Sequence, residues 1–243
     1  MTEQQLSRVI LVTGASSGIG LACSRLLLDQ GYTVAGMARD FSSTGIDDPR
    51  FQPLQIDFSD LDSLPAMLSK LGNNLPDIDS IILCAGVGRF GSLEEFSFDQ
   101  IRKLLDTNFT SQAYVLRHFL PQLKKHGHGD VIILGSEAAL AGGRRGAIYS
   151  ASKFALRGLA QSLRDECGKS GLRVTIINPG MVRTDFFKDL DFTHGDEPEN
   201  YIEAEDVAAA ALHVLQTRHG TVFDEITLSP LNKVVRFKKQ DKS

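Results

Sequence analysis

Val9-Ile10-Leu11-Val12-Thr13-Gly14-Ala15-Ser16-Ser17-Gly18-Ile19-Gly20 reads as a strand that runs straight into a glycine-rich turn and then into a helix. Val9–Val12 is a short apolar run of strand-forming residues, too short to be anything but one buried strand. The glycines that follow are spaced G-x-x-x-G-x-G, which lets the backbone turn sharply and approach a pyrophosphate closely. A helix opening near Gly18 aims its unpaired N–H groups and its positive end at such a phosphate, and Ser16 and Ser17 add hydroxyl donors. Structural turns also use glycine. The place of this one, between a strand and a helix, makes Gly14, Ser16, Ser17, Gly18, Ile19 and Gly20 candidate cofactor-binding residues.

Outward from this loop the chain repeats the same β/α alternation. Strands are expected at Val9–Val12, Thr33–Met37, Phe51–Ile56, Ser80–Cys84, Val131–Leu134, Arg173–Ile177 and Asp224–Leu228, with helices at Gly18–Gln30, Leu61–Leu71, Phe98–Lys125, Tyr149–Ser170 and Glu205–Gln216. Phe154, Leu156, Leu159 and Leu163 recur at helical steps and demand a buried face. Right-handed crossovers between such units give a single α/β domain: a doubly wound, seven-stranded parallel sheet with helices on both faces, binding ligands where the strand order reverses. All 243 residues read as one dinucleotide-binding and catalytic domain. The stretch 184–201 lacks periodicity and reads as a substrate lid, and the basic, polar 236–243 reads as a flexible tail.

Bulk composition narrows the function. With 42% hydrophobic residues and a net charge of −4, the chain has neither the basic field of a nucleic-acid binder nor an apolar run long enough to span a membrane. Met1–Arg8 is polar, with no signal-peptide core. Three widely spaced cysteines, Cys23, Cys84 and Cys167, suit a reducing compartment and point to the cytoplasm. His126 and His128 have no third ligand near them in sequence, so no metal site is expected.

Two further features carry chemistry. Strand two ends at Met37-Ala38-Arg39-Asp40, where a dinucleotide fold places the adenosine ribose. An acid there binds the 2′-hydroxyl, whereas an arginine accommodates a 2′-phosphate. Arg39 therefore favours NADP(H) over NAD, the alternative being an exposed arginine neutralised by Asp40. Asp57, at the end of strand three, can accept from the adenine amino group or simply cap the next helix. Tyr149-Ser150-Ala151-Ser152-Lys153 puts a phenol and an ammonium on one helical face. A nearby cation favours the phenolate, and in the reducing direction the same phenol donates its proton to a developing alkoxide. Ser136, at the end of strand five, is positioned either to orient a substrate carbonyl or to cap a turn. Arg144 and Arg145 read as a solvated loop rather than a carboxylate clamp.

Together these residues resemble the short-chain dehydrogenase/reductase family over nearly the whole chain. The resemblance rests on Thr13–Gly20, the turn Cys84-Ala85-Gly86, Asn108 in Asn108-Phe109-Thr110-Ser111, Ser136, Tyr149-x-x-x-Lys153 and Pro179-Gly180-Met181-Val182-Arg183-Thr184. It implies a Rossmann-type fold, Tyr149 as acid/base and Ser136 orienting substrate. Lys153 would hold the nicotinamide ribose and lower the tyrosine pKa, and Asn108 would anchor a relay water. Ala85, Gly86, Pro179, Gly180, Val182 and Thr184 would line the cofactor, the last two at the carboxamide end. It also implies an NADP(H)-dependent oxidoreductase acting on a small carbonyl or hydroxy compound, and a homodimer or homotetramer using helices near Thr107–Lys125 and Phe154–Ser170. Cys84 departs from the family's usual asparagine, which leaves the stiffness of that turn open. The segment Asp224–Pro230 faintly resembles the branch that oxidises 3-hydroxy acids and serine-like compounds. The rival readings are a redox sensor that binds NADP without turnover and a sugar-nucleotide epimerase or dehydratase. A sensor has no need of the Asn108, Ser136, Tyr149 and Lys153 set, and 243 residues leave little room for the second.

Overall fold

The computed structural model describes residues 8–238 apart from 73, 74 and 76. Its elements run β1 (Val9–Thr13), α1 (Gly18–Asp29), β2 (Thr33–Ala38), β3 (Phe51–Gln55), α2 (Leu64–Gly72), β4 (Ile78–Leu83), α3 (Phe98–Leu105), α4 (Ser111–His126), β5 (Gly129–Leu134), α5 (Ala147–Cys167) and β6 (Leu172–Pro179). Three short strands follow, β7 (Val182–Arg183), β8 (Phe192–His194) and β9 (Ile202–Glu203), then α6 (Ala204–Gln216), β10 (Glu225–Leu228) and β11 (Val235–Phe237). The seven expected strands form one sheet in the order β10-β6-β5-β4-β1-β2-β3, and every pairing in it is parallel.

β1, β4, β5 and β6 are buried along their whole length, which is why they read as runs rich in Val, Ile and Leu, while the edge strands β3 and β10 are only partly buried. Alternate residues of β1 separate cleanly: Val9 and Leu11 enter the core beneath α2, α4 and α5, while Ile10 and Val12 enter the core beneath α1 and α6. The chain leaves β1 in opposite directions toward β2 and β4, so the crevice opens between the carboxyl ends of β1 and β4. At the opposite end of the sheet Asp130, 1% exposed, receives hydrogen bonds from Arg173 at 2.7 and 2.9 Å and from Arg8 at 3.0 Å. Arg8 also bonds Asp79 at 2.9 Å. Arg173 donates to the carbonyls of Val214 and Thr217 at the end of α6, so this buried network is well satisfied.

Two expectations change. The helix expected over Phe98–Lys125 is present but not regular: α3 passes through a π turn over Asp106–Thr110 into α4, with helical backbone throughout. Such wide turns displace the residues they carry relative to a regular helix. The expected tail is also partly ordered, because Val235, Arg236 and Phe237 pair antiparallel with His194, Thr193 and Phe192. The pairing gives these residues backbone partners that charge and polarity alone do not reveal. Residues 239–243 lie outside the described residues.

Candidate active site

Gly14 and Gly18 have φ of +68° and +49°, the left-handed region open to glycine at little cost. A Cβ on Gly14 would lie 3.1 Å from the Ala85 backbone, and one on Gly20 would collide with the Gly14 carbonyl oxygen. The loop therefore packs against the β4 turn and against itself, and no bulkier residue fits. Ser17 precedes α1 but makes no capping bond, and the first turn of α1 holds no acid. The first N–H groups of α1 are thus left for an external acceptor. A cleft of about 540 Å³ lies beside this helix end, lined by Gly18, Arg25, Arg183, Thr184 and Glu203 among others. A glycine cradle with an uncapped helix end fits the pyrophosphate of a dinucleotide.

The turn Cys84-Ala85-Gly86 is stiffened from outside. Thr13 Oγ1 accepts from the Ala85 N–H at 3.0 Å and donates to Gln112 Oε1 at 3.1 Å. Cys84 hydrogen-bonds Cys23 of α1, and that contact together with burial pushes its thiol pKa well above the usual value. The thiol in place of an amide therefore leaves the turn held.

Asn108 sits inside the π turn and is fully buried. Its Oδ1 accepts from the Val87 N–H at 2.8 Å, and its Nδ2 donates to Val87 O at 3.0 Å and Ser152 Oγ at 3.2 Å. Both amide hydrogens are spent, so the side chain clamps the segment after β4.

Tyr149 and Lys153 lie on the buried side of α5, 8% and 7% exposed. Lys153 Nζ donates to Leu134 O at 3.0 Å and stands 5.8 Å from the centre of the Tyr149 ring. A Cβ on Gly86 would lie 3.8 Å from Nζ and 3.3 Å from Asn108 Oδ1, so β4, β5, the π turn and α5 converge here. Burial pushes the Tyr149 pKa up to about 12, opposed by a hydrogen bond with Ser136 and reinforced by the Glu137 carboxylate. Burial likewise pushes Lys153 down to about 8, opposed by Cys84. The expected lowering of the tyrosine pKa is therefore not seen, because desolvation of the phenol dominates. Ser136 also accepts from the Ala138 N–H at 3.1 Å, so it both caps a turn and meets the phenol.

The peripheral candidates divide. Arg39 is exposed at the end of β2 and makes no ion pair among the described residues. Asp40 turns instead to the Ser42 N–H and hydroxyl at 2.9 and 2.8 Å, which lowers its pKa. Asp57 accepts from the Ser59 N–H and hydroxyl at 2.9 and 2.7 Å, which closes a local turn ahead of α2 and does not cap that helix. Val182 is buried, and Thr184 faces Gly18, its Cγ2 3.3 Å from where a Cβ would stand. Pro179 ends β6, and the Gly180 N–H donates to Leu228 O at 2.8 Å. Arg145 binds Glu95 at 3.3 Å and Asp191 at 3.6 Å, which ties its loop to the segment after β7. Among the described residues no group of three or more His, Cys, Asp or Glu forms a metal site, and no helix is long and apolar enough to cross a membrane.

Sequence reasoning missed the aromatic wall over Tyr149. Phe90 lies 4.9 Å and Phe186 6.0 Å from its ring, and Phe90 stacks edge-on to Phe192 at 4.9 Å. It also missed Glu137, bonded to Lys233 at 2.7 Å, and Asn178. Only Glu137 had a local signal, its place next to Ser136.

A glycine cradle at the reversal of a doubly wound sheet, with a buried phenol and amine at the same strand ends, defines a dinucleotide-binding α/β protein. The chain belongs to the short-chain dehydrogenase/reductase family: the family model described as short chain dehydrogenase matches residues 8–194. An uncharacterised oxidoreductase of Staphylococcus haemolyticus is 32% identical over 237 residues, covering 95% of this chain and 100% of that relative. An alcohol dehydrogenase from the archaeon Thermococcus sibiricus, complexed with 5-hydroxy-NADP, superposes with a TM-score of 0.81 at 25% identity over 94% of this chain and 99% of its own. A 4-hydroxyisoleucine dehydrogenase complexed with NADH shares the fold, with a TM-score of 0.82 at 21% identity over 92% of this chain and 98% of its own.

Proposed function

We propose that this chain is an NADP(H)-dependent oxidoreductase that exchanges a hydride between the nicotinamide and a small carbonyl or hydroxy compound. The observation that carries this is the buried Tyr149 phenol beside Lys153 at the strand ends, with Ser136 against it. The bound cofactor supplies or accepts the hydride. In reduction, Ser136 holds the substrate carbonyl oxygen and Tyr149 releases its proton to that oxygen as negative charge develops there. A phenol held near pKa 12 is fully protonated at neutral pH, as a proton donor requires. In oxidation the phenol must first lose that proton, which the charges of Lys153 and an oxidised nicotinamide favour.

Gly14, Ser16, Ser17, Gly18, Ile19 and Gly20 would hold the pyrophosphate, Lys153 the nicotinamide ribose, and Val182 and Thr184 the carboxamide end. Ala85, Gly86, Pro179 and Gly180 would line the groove between them, with Asn108 keeping its floor in place. Arg39, exposed and without an ion pair among the described residues, would take the 2′-phosphate, with Asp57 beside the adenine. The segment 184–201 acts as the lid through Phe186 and Phe192. Phe154, 42% exposed on α5, suits a dimer or tetramer formed through this helix.

Tyr149→Phe tests the reading. Screened for NADPH oxidation against aldehydes, ketones and keto acids, this variant should lose about a thousandfold or more in kcat while binding NADPH as the parent does by fluorescence titration. Turnover that survives the substitution removes Tyr149 as proton donor.

A further inference from the structure

The strand that ends at Pro179 carries one side chain that folding alone does not account for. Asn178 lies at the carboxyl end of β6, with no exposed surface, between β5 and β10 in the sheet. Its Oδ1 accepts from the Ser136 N–H at 3.3 Å. Its Nδ2 is buried and has no hydrogen-bond partner among the described residues. A buried amide hydrogen left unpaired costs folding free energy, so a residue chosen only for stability in this otherwise apolar setting would be apolar. The neighbouring strand makes room for the amide. Gly135 directly precedes Ser136, and a Cβ there would collide with Asn178 Oδ1. The Gly135 N–H in turn donates to Ile177 O at 2.8 Å, so the two strand ends are joined on both sides of the Asn178 side chain.

We propose that Asn178 is a positioning residue for the proposed reaction: seated in the notch left by Gly135, it fixes the Ser136 backbone and so aims the Ser136 hydroxyl at the Tyr149 phenol. This rests on the reading of Ser136 and Tyr149 given above. Ser136 is otherwise held by the Ala138 N–H on its hydroxyl at 3.1 Å and the Ala139 N–H on its carbonyl at 2.8 Å, which fix its turn; the Gly135 bond to Ile177 anchors the residue before it, and the Asn178 bond anchors Ser136 itself to β6. Glu137 and Lys153 are the charged side chains facing the same phenol. Neither touches Asn178 by hydrogen bond or ion pair among the described residues.

The test uses the full-length enzyme with whichever carbonyl or alcohol substrate the screen yields, and it compares Asn178→Ala, Asn178→Asp, Gly135→Ala and Ser136→Ala. Asn178→Ala should lower kcat about tenfold, because small displacements of an orienting group cost at least that much, while the KM for cofactor and the melting temperature stay put. In the oxidation direction the midpoint of the alkaline rise in rate should move to higher pH, since the Ser136 bond is what draws the phenol down. Mere loosening of the fold would lower the amplitude without moving that midpoint. Asn178→Asp keeps an acceptor oxygen and should recover most of kcat. Gly135→Ala, which pushes the amide out of its notch, should reproduce the loss, and adding Asn178→Ala to it should cost no more than about twofold further. A kcat for Asn178→Ala within twofold of the parent overturns the proposal, as does a loss matched by a fall in melting temperature with the midpoint unmoved, or an Asn178→Asp no better than the alanine. If Ser136→Ala itself leaves turnover intact, the reading of the site falls and this inference with it. If Ser136→Ala is inactive and Asn178→Ala is normal, only the positioning role is lost.

Discussion

Replacing Lys153 by methionine should make the ligand-free protein more stable at neutral pH and enzymatically dead. The lysine is buried, and its pKa falls from 10.5 to about 8 because burial disfavours the ammonium. With about 1.4 kcal/mol for each tenfold change in an equilibrium, holding that charge inside costs the native chain about 3 kcal/mol at pH 7. Methionine has similar length and no charge, but it leaves Leu134 O without the bond that Lys153 donates at 3.0 Å, a loss of about 1 kcal/mol. The net gain is about 2 kcal/mol, or roughly 4–8 °C in melting temperature for a chain of this size. The pH dependence separates this cause from better packing. Between the folded pKa and the unfolded one, the unfolded chain binds more protons than the native chain, so native stability rises with pH through that window. By pH 9.5 the penalty has shrunk to about half, so the advantage of methionine should nearly vanish. Thermal melts of both proteins at pH 7 and pH 9.5 decide the matter. A methionine variant that melts lower at pH 7, or a difference that does not change with pH, refutes the reasoning.

Asp130→Asn keeps the shape of a side chain that two arginines share but removes the charge between them. It should cost about 3 kcal/mol, visible in urea denaturation as a lower midpoint with unchanged slope. Gly20→Ala places a methyl group against the Gly14 carbonyl oxygen, and should weaken dinucleotide binding in titration while costing about 2 kcal/mol by overpacking. Arg39→Asp should raise the KM for NADPH at least tenfold and leave NADH little changed. An unaltered preference would remove Arg39 from the 2′-phosphate.

The inner strands of the sheet were readable because each is buried on both faces and therefore advertises itself as an apolar run between turn residues, whereas the half-exposed edge strands β3 and β10 were legible only through the β/α alternation. The glycine loop was readable because Gly14 and Gly18 occupy backbone conformations that other residues avoid, so the chemistry leaves a mark on composition. Tyr149 and Lys153 announced themselves through helical spacing. What stayed hidden depends on partners far apart in the chain. Nothing local in Asp106–Thr110 signals a π turn, whose existence is visible only through the clamp from Asn108 to Val87 and Ser152. Asn178 looks like any residue before a proline until Gly135 is set beside it. Val235–Phe237 looked like solvated chain because the backbone of 192–194, forty residues away, completes it. Phe90 and Phe186 come together only once two loops are folded over one helix.

That last pairing changes what opening the site involves. The segment over Tyr149 is not a free flap: Phe192–His194 is stitched to Val235–Phe237, the Lys238 N–H reaches Asp191 O at 2.8 Å, and the Lys238 ammonium bonds the carbonyls of Phe187 and Lys188. In the lid proposed for 184–201, opening carries this late ribbon along as one plank. A cargo fused just after Lys238 would ride on the door of the chamber rather than hang from its wall.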